Sequence, residues 1–213
     1  MPEKSSREFV FFLLIINLLP ISVSGQNSNY PPVHKEYYHT PVFENDQIRV
    51  LNVSASTGDT TALHRHCNPI LYLTISGATV GLKEPSGPWR NVELPTGWIG
   101  QDIYHSDSCF VHQFAVIGEE SLQIVAIEAL ANAKPLPFSF EPVHREEGFT
   151  LFEIDIYMLQ EITRYSIPII LVEPASENRV DVIHSDQLTK EAILEGKAYA
   201  VFFEDRNPTK GSE

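Results

Sequence analysis

His64 and His66 stand two residues apart in the segment GDTTALHRHCNPILYLTISG, which runs from Gly58 to Gly77. In an extended strand alternate side chains share a face, so both imidazoles point the same way. Neutral imidazole is the commonest protein ligand for a divalent transition metal, and a pair on one strand face can grip one ion. The run that follows, Ile70 to Ile75, is β-branched, aromatic and apolar. That composition suits a strand, and Ser76-Gly77 closes it with a turn signal.

The spacing around these histidines carries a family resemblance. Gly58 is followed by five residues, His64-Arg65-His66, three residues, Ile70, six residues and Gly77. This resembles the first motif of the cupin superfamily, in which a Glu stands where this chain has Ile70. The family's second motif is matched more loosely. Gly97 fits its opening glycine, but the central Pro-x-Gly is absent and Val116 stands at the Asn position. Two histidines compete for its ligand: His105 falls three residues early and His112 four residues late. After His112 come an apolar run to Ile117, a turn at Gly118 to Ser121 and a second run from Leu122 to Leu130. That order resembles the close of a cupin domain, whereas His105 leads into polar Ser106-Asp107-Ser108.

The resemblance implies an all-β chain: an RmlC-like jelly-roll barrel with a metal site at its mouth, held by His64, His66 and His112. His105 is expected beside that site rather than on the metal. Tyr72 and Tyr104 are candidates for a phenol near a bound substrate, with buried packing as their other role. Such a three-histidine site resembles those of thiol and diketone dioxygenases of the superfamily. Three neutral ligands leave the ion's charge uncompensated and several positions open, which suits an anionic chelating substrate and dioxygen on iron(II). Iron is therefore the expected cofactor, with zinc, manganese, nickel and copper as alternatives. The competing reading is a non-catalytic binding or structural module with a degraded metal site, and Ile70 and Val116 favour it. In barrels of this family the two ligand-bearing strands run side by side. Alternation places Cys67 and Cys109 on the face away from the ligands, so the resemblance implies a candidate disulfide between them, with two free thiols as the alternative.

The elements that must position these groups are legible in outline. The 213 residues, 43% apolar, suffice for one large or two small domains. A formal charge of −13 argues against nucleic acid and anionic membrane partners, leaving a small-molecule ligand. Residues 1–25 read as an export signal: Lys4 and Arg7 precede an apolar run from Phe9 to Leu19, and Val23-Ser24-Gly25 offers a cleavage site. The mature protein is therefore expected to be secreted or periplasmic and to leave the membrane. Residues 26–40 form an irregular lead-in in which His34 and His39 are read as solvated or packing residues. Short strands with Gly and Pro punctuation then fill a barrel over 41–130.

Residues 131–148, with Pro135, Pro137 and Pro142, read as a linker. Beyond them the barrel sequence is echoed in degenerate form over 149–205. Ile167 to Val172 mirrors Asn68 to Leu73, Arg179 to Ile183 mirrors Ala78 to Leu82, and Ala192 to Gly196 mirrors Val92 to Gly97. Thr163 and Tyr165 stand where the first copy has His64 and His66. The whole resembles a truncated bicupin, one barrel and half of another without ligands. A half barrel has open sheet edges, so it is expected to pack on the first barrel, to complete a neighbour's sheet or to mediate a homodimer.

Overall fold

The alternating segments from the lead-in to Ala129 become nine strands that face each other in two antiparallel sheets. The computed structural model of the chain describes residues 29–132, 140–146, 148–165, 167–172 and 180–203. In chain order the strands are β1 (His39–Glu44), β2 (Ile48–Ala55), β3 (His64–His66), β4 (Ile70–Ser76), β5 (Ala78–Lys83), β6 (Arg90–Leu94), β7 (Ile99–Asp102), β8 (Phe110–Val116) and β9 (Leu122–Ala129). One sheet has the order β1-β2-β9-β4-β7 and the other the order β3-β8-β5-β6. Their inner faces close over Leu51, Val53, Val80, Phe114, Val116 and Ile124. Each such side chain contributes roughly 1.5–3 kcal/mol relative to exposure.

A third sheet covers the outer face of the first. Its strands are β10 (His144–Glu146), β11 (Phe149–Ile154), β12 (Pro168–Val172), β13 (Val180–His184) and β14 (Lys197–Phe203), ordered β10-β11-β14-β12-β13. Val50, Leu71, Val125 and Ile127 of the first sheet share one apolar cluster with Phe149, Leu151, Tyr199 and Val201 of the third. The first sheet is thus a middle layer, and β9 is buried at every one of its positions. The far side of the third sheet is closed by α1 (Leu159–Ile162) and α2 (Lys190–Glu195), which bring Ile162 and Ala192 onto Phe152 and Ala198.

Strand for strand, the third sheet repeats the order of the first: β11, β14 and β12 lie side by side as β2, β9 and β4 do. No counterpart of the barrel's second sheet exists among the described residues. Three correspondences in the sequence echo are corrected. Ala192 to Glu195 lie in α2, because good helix formers follow Thr189, whose side chain accepts from the Ala192 amide, whereas Val92 lies in strand β6. Thr163 and Tyr165 follow α1 in turns and mirror nothing in β3. β12 and β13 pair directly, while β4 and β5 belong to different sheets.

The segment boundaries also shift. Within the expected linker, residues 144–146 pair with β11, and His144 Nε2 lies 3.0 Å from Gln101 Oε1, tying the third sheet to β7. The barrel begins at His39 rather than Pro41, and the lead-in is part of it. Val33 is buried, and the Arg65 amide donates to the Pro31 carbonyl at 2.9 Å. The expected export signal and the last two residues of the expected repeat lie outside the described residues.

Candidate metal centre

β3 is only three residues long, and its place is fixed by β8, with His64 opposite His112, Arg65 opposite Val111 and His66 opposite Phe110. The approach to it turns at Gly58, whose φ of +87° is a left-handed conformation that favours glycine. Gly77, at the other end of the motif, answers to space instead. A Cβ there would collide with the Leu94 carbonyl oxygen and the backbone of Pro95 and Thr96. One residue beyond the register, Cys67 and Cys109 are joined by a disulfide across Cα atoms 4.3 Å apart, so the two ligand strands are clamped on the face away from the imidazoles.

His64, His66 and His112 converge. One ring nitrogen from each lies within 4.8 Å of the others, and His64 and His66 are almost fully buried. His64 Nδ1 donates to the Ala62 carbonyl at 2.9 Å, which leaves the lone pair on Nε2 facing inward without a partner. His66 Nε2 and His112 Nε2 are 2.9 Å apart. Burial holds the His64 imidazole down to about 4, and His39 nearby adds to the effect. His66 and His112 lie well below the ordinary histidine value, first through burial and then through their neighbouring imidazoles. At neutral pH all three are therefore uncharged bases in a water-poor place. A buried, unpartnered Nε2 beside two touching imidazole nitrogens is the donor set of a borderline divalent ion, and the residues fit such a group.

The two departures from the family motif are filled by packing. Ile70 and Val116 are both core residues. Two carboxylates stand opposite Ile70: Glu128 is engaged by Arg49 Nη1 at 2.6 Å and Asn68 Nδ2 at 3.0 Å, so it stays with them, and Asp102 lines the cavity described below. A different carboxylate lies at the site. Glu36 is buried in the lead-in and accepts from His39 Nδ1 at 2.7 Å, from the Tyr38 amide at 2.9 Å and from the Ala62 amide at 3.1 Å. Burial works to raise its carboxyl, but the His39 and backbone hydrogen bonds outweigh it and hold the group below the usual carboxylate range. Glu36, His39 and His64 form a second group of donors within 4.8 Å, sharing His64 with the first. Of the two roles expected for His39, solvated or packing, the structure shows the buried one, with the Glu36 carboxylate as its partner. The Glu-x-x-His spacing of 36 and 39 was the one local signal, and only the folding of the lead-in onto β3 gives it meaning.

Next to the histidines lies a cavity of about 350 Å³, with His39, His66 and His112 in its lining. Its walls are apolar, with Leu82, Leu94, Phe110, Phe114 and Ile124 among them. Tyr72 and Tyr104 also line it; they hydrogen-bond to each other, and burial raises both phenols. The Tyr104 ring lies 5.7 Å from that of His66 and stacks on Phe110 at 5.4 Å. Trp98 stands partly exposed on the same cavity. His105 is not brought to the site. It is exposed, in a tight turn bridged to Ser108, and belongs neither to the convergent histidine group nor to the lining of this cavity. The polar run Ser106-Asp107-Ser108 keeps that turn in solvent.

No family model and no curated protein sequence matches this chain. Several solved structures are similar to it. A cupin domain from Bordetella pertussis is 19% identical with a TM-score of 0.39, over 48% of this chain and 97% of that one. A double-stranded β-helix protein from Klebsiella pneumoniae is 20% identical with a TM-score of 0.36, over 55% of this chain and 93% of that one. An RmlC-like cupin from Methanocaldococcus jannaschii is 11% identical with a TM-score of 0.34, over 42% and 75% respectively. Two facing sheets, motif glycines explained by their backbone, and a His-x-His pair set against His112 give the first unit of this chain the cupin jelly-roll fold.

Proposed function

We propose that this protein is an exported, metal-dependent cupin that holds a divalent ion, iron(II) first, and acts as a dioxygenase on a small, mostly apolar molecule with a chelating head. The observation that carries the reading is the three convergent, uncharged imidazoles, two of which, His66 and His112, line an apolar cavity. The ion, when bound, supplies Lewis acidity and open positions for an anionic chelating group. The chain's own residues do the rest. The apolar walls exclude water and bind the substrate's body, while the paired phenols of Tyr72 and Tyr104 offer a hydrogen bond inside the cavity. A dioxygenase needs no external reductant, since both oxygen atoms enter the product. Export is supported by the Cys67–Cys109 bridge, which belongs in an oxidising compartment.

A non-catalytic binding module is the second reading, favoured by the packed side chains of Ile70 and Val116 at two motif positions. Elemental analysis of the chain purified without chelator tests the metal. We expect about one equivalent, lost on His64→Ala, His66→Ala or His112→Ala and kept in His105→Ala; a metal-free wild type after reconstitution refutes the enzyme reading. Oxygen uptake by iron(II)-loaded protein, offered small β-diketones and thiols, then separates the two. Metal binding without uptake across that panel favours the module.

A further inference from the structure

The cavity beside the histidines meets solvent at a patch unlike the rest of its wall. Of the residues that line it, three are exposed: Glu93, Trp98 and Asp102. The others are buried or half-buried and, apart from the imidazoles and two phenols, apolar. The topology brings the three together. β7 ends the first sheet, β6 ends the second, and a turn through Pro95 and Gly97 joins these two edges. Glu93 stands on β6, while Trp98 and Asp102 stand before and at the end of β7. Gly100 lies between them, opposite Tyr72, as Asp102 lies opposite Ile70. A Cβ at Gly100 would collide with the Trp98 indole, so the bare glycine lets that ring lie against the strand.

The charges at this mouth are of one sign. Glu93 and Asp102 are carboxylates, and no Lys or Arg lines the cavity. Asp102 is also tied inward, through Tyr104 to Tyr72. A carboxylate has no proton to give and each hydroxyl has one, so Tyr72 donates to Tyr104 and Tyr104 to Asp102. That chain offers an occupant lone pairs rather than O–H donors. A carboxylate has about four acceptor positions, more than one phenol uses. Glu93 accepts from Thr79 Oγ1 at 3.4 Å, a single contact on an exposed carboxylate. The indole face adds negative potential of its own. Buried His66, in the same lining, has an Nδ1 without a partner, a second sign that the cavity is shaped for an occupant.

We propose that Glu93, Trp98 and Asp102 form a recognition site for a protonated amine, so that the substrate carries an ammonium group apart from its chelating head. The inference rests on reading this cavity as the substrate site. The ammonium donors meet two carboxylates and the indole face at the mouth, while the apolar body lies along the inner walls. An anionic group in that position would face two like charges, and a neutral one would forgo the attraction.

The test is isothermal titration calorimetry of the full, metal-free chain at pH 7 and low salt, with three probes of similar shape: 2-phenylethylamine, 2-phenylethanol and 3-phenylpropanoate. The amine, protonated at this pH, is expected to bind at least tenfold more tightly than either of the others and to lose much of that lead in about 0.5 M salt. Asp102→Asn and Glu93→Gln are each expected to weaken the amine about fivefold and to leave the alcohol unchanged. Trp98→Leu is expected to weaken the amine about fivefold more than the alcohol. Melting curves check folding, and Glu93→Gln keeps the shape of an exposed side chain. Equal affinity for the three probes, tighter binding of the carboxylate, no binding of the amine, or an amine preference that survives both carboxylate substitutions overturns the inference. A chain that holds no metal yet prefers the amine refutes the enzyme reading and leaves this inference standing. A metal-loaded oxygenase without the preference does the reverse.

Discussion

The Cys67–Cys109 bridge sets up a quantitative test of how the ligand strands are held. β3 has three residues and pairs with β8 alone, apart from the contact of Arg65 with the lead-in. The bridge closes a sequence separation of 42 residues at the end of that short pairing. Loop-closure entropy for such a separation gives about 4 kcal/mol of stabilisation. For a chain of this size each kcal/mol moves the melting temperature by roughly 2–4 °C, so losing the bridge is expected to lower it by roughly 8–16 °C. The assay is differential scanning calorimetry of metal-free Cys67→Ser/Cys109→Ser beside the wild type, with and without reductant. Reduction of the wild type should reproduce the double variant, and metal affinity should fall as His64 and His66 lose their fixed distance from His112. A double variant that melts within about 2 °C of the oxidised protein and binds metal as tightly would refute the argument. It would mean that strand hydrogen bonds and the imidazole cluster hold β3 unaided.

Two further outcomes follow from burial. The unfolded chain protonates His64 near 6.5, while the folded chain does so only at about 4. Stability of the metal-free protein is therefore full above pH 6.5 and falls as the pH drops toward 4, by about 1.4 kcal/mol per pH unit for this group alone. His66 and His112 are lowered too and steepen the loss; urea unfolding that is flat between pH 7 and 4.5 would refute it. Truncation after Asn132 should leave insoluble or aggregated protein, because Val50, Leu71, Val125 and Ile127 lose the sheet that covers them. A soluble, monomeric barrel melting near the full chain, by scattering and calorimetry, would show the third sheet to be dispensable.

The sequence carries the barrel legibly wherever the physics is local. Alternation marks β2, the turn at Gly58 marks the approach to β3, and the His-x-His spacing puts two imidazoles on one face whatever surrounds them. The third ligand is less legible, because the choice of His112 over His105 depends on which neighbouring run is a strand. Glu36 and His39 are legible only after folding, since a short 3-10 turn at Val33–Lys35 and one bridge to β3 carry them inward. In the second unit, Val and Ile runs announce strands but not their neighbours. Ile169 to Val172 and Val180 to Ile183 read alike whether they pair together or join separate sheets. The helix at Lys190–Glu195 was overridden in the echo by similarity to a strand, although its composition and Thr189 cap favour a helix.

The middle layer has a consequence in time as well as in space. All the strands of the two-sheet barrel are synthesised by Ala129, yet β14, the central strand of the covering sheet, ends only at Phe203. At about 5–20 residues per second, synthesis of the intervening stretch takes on the order of 4–15 seconds. Throughout that interval a nascent barrel presents Val50, Leu71, Val125 and Ile127 to its surroundings, and neighbouring ribosomes offer other copies of the same face. The order of the two units along the chain therefore makes crowded synthesis, rather than the finished protein, the stage at which this fold is most exposed to self-association.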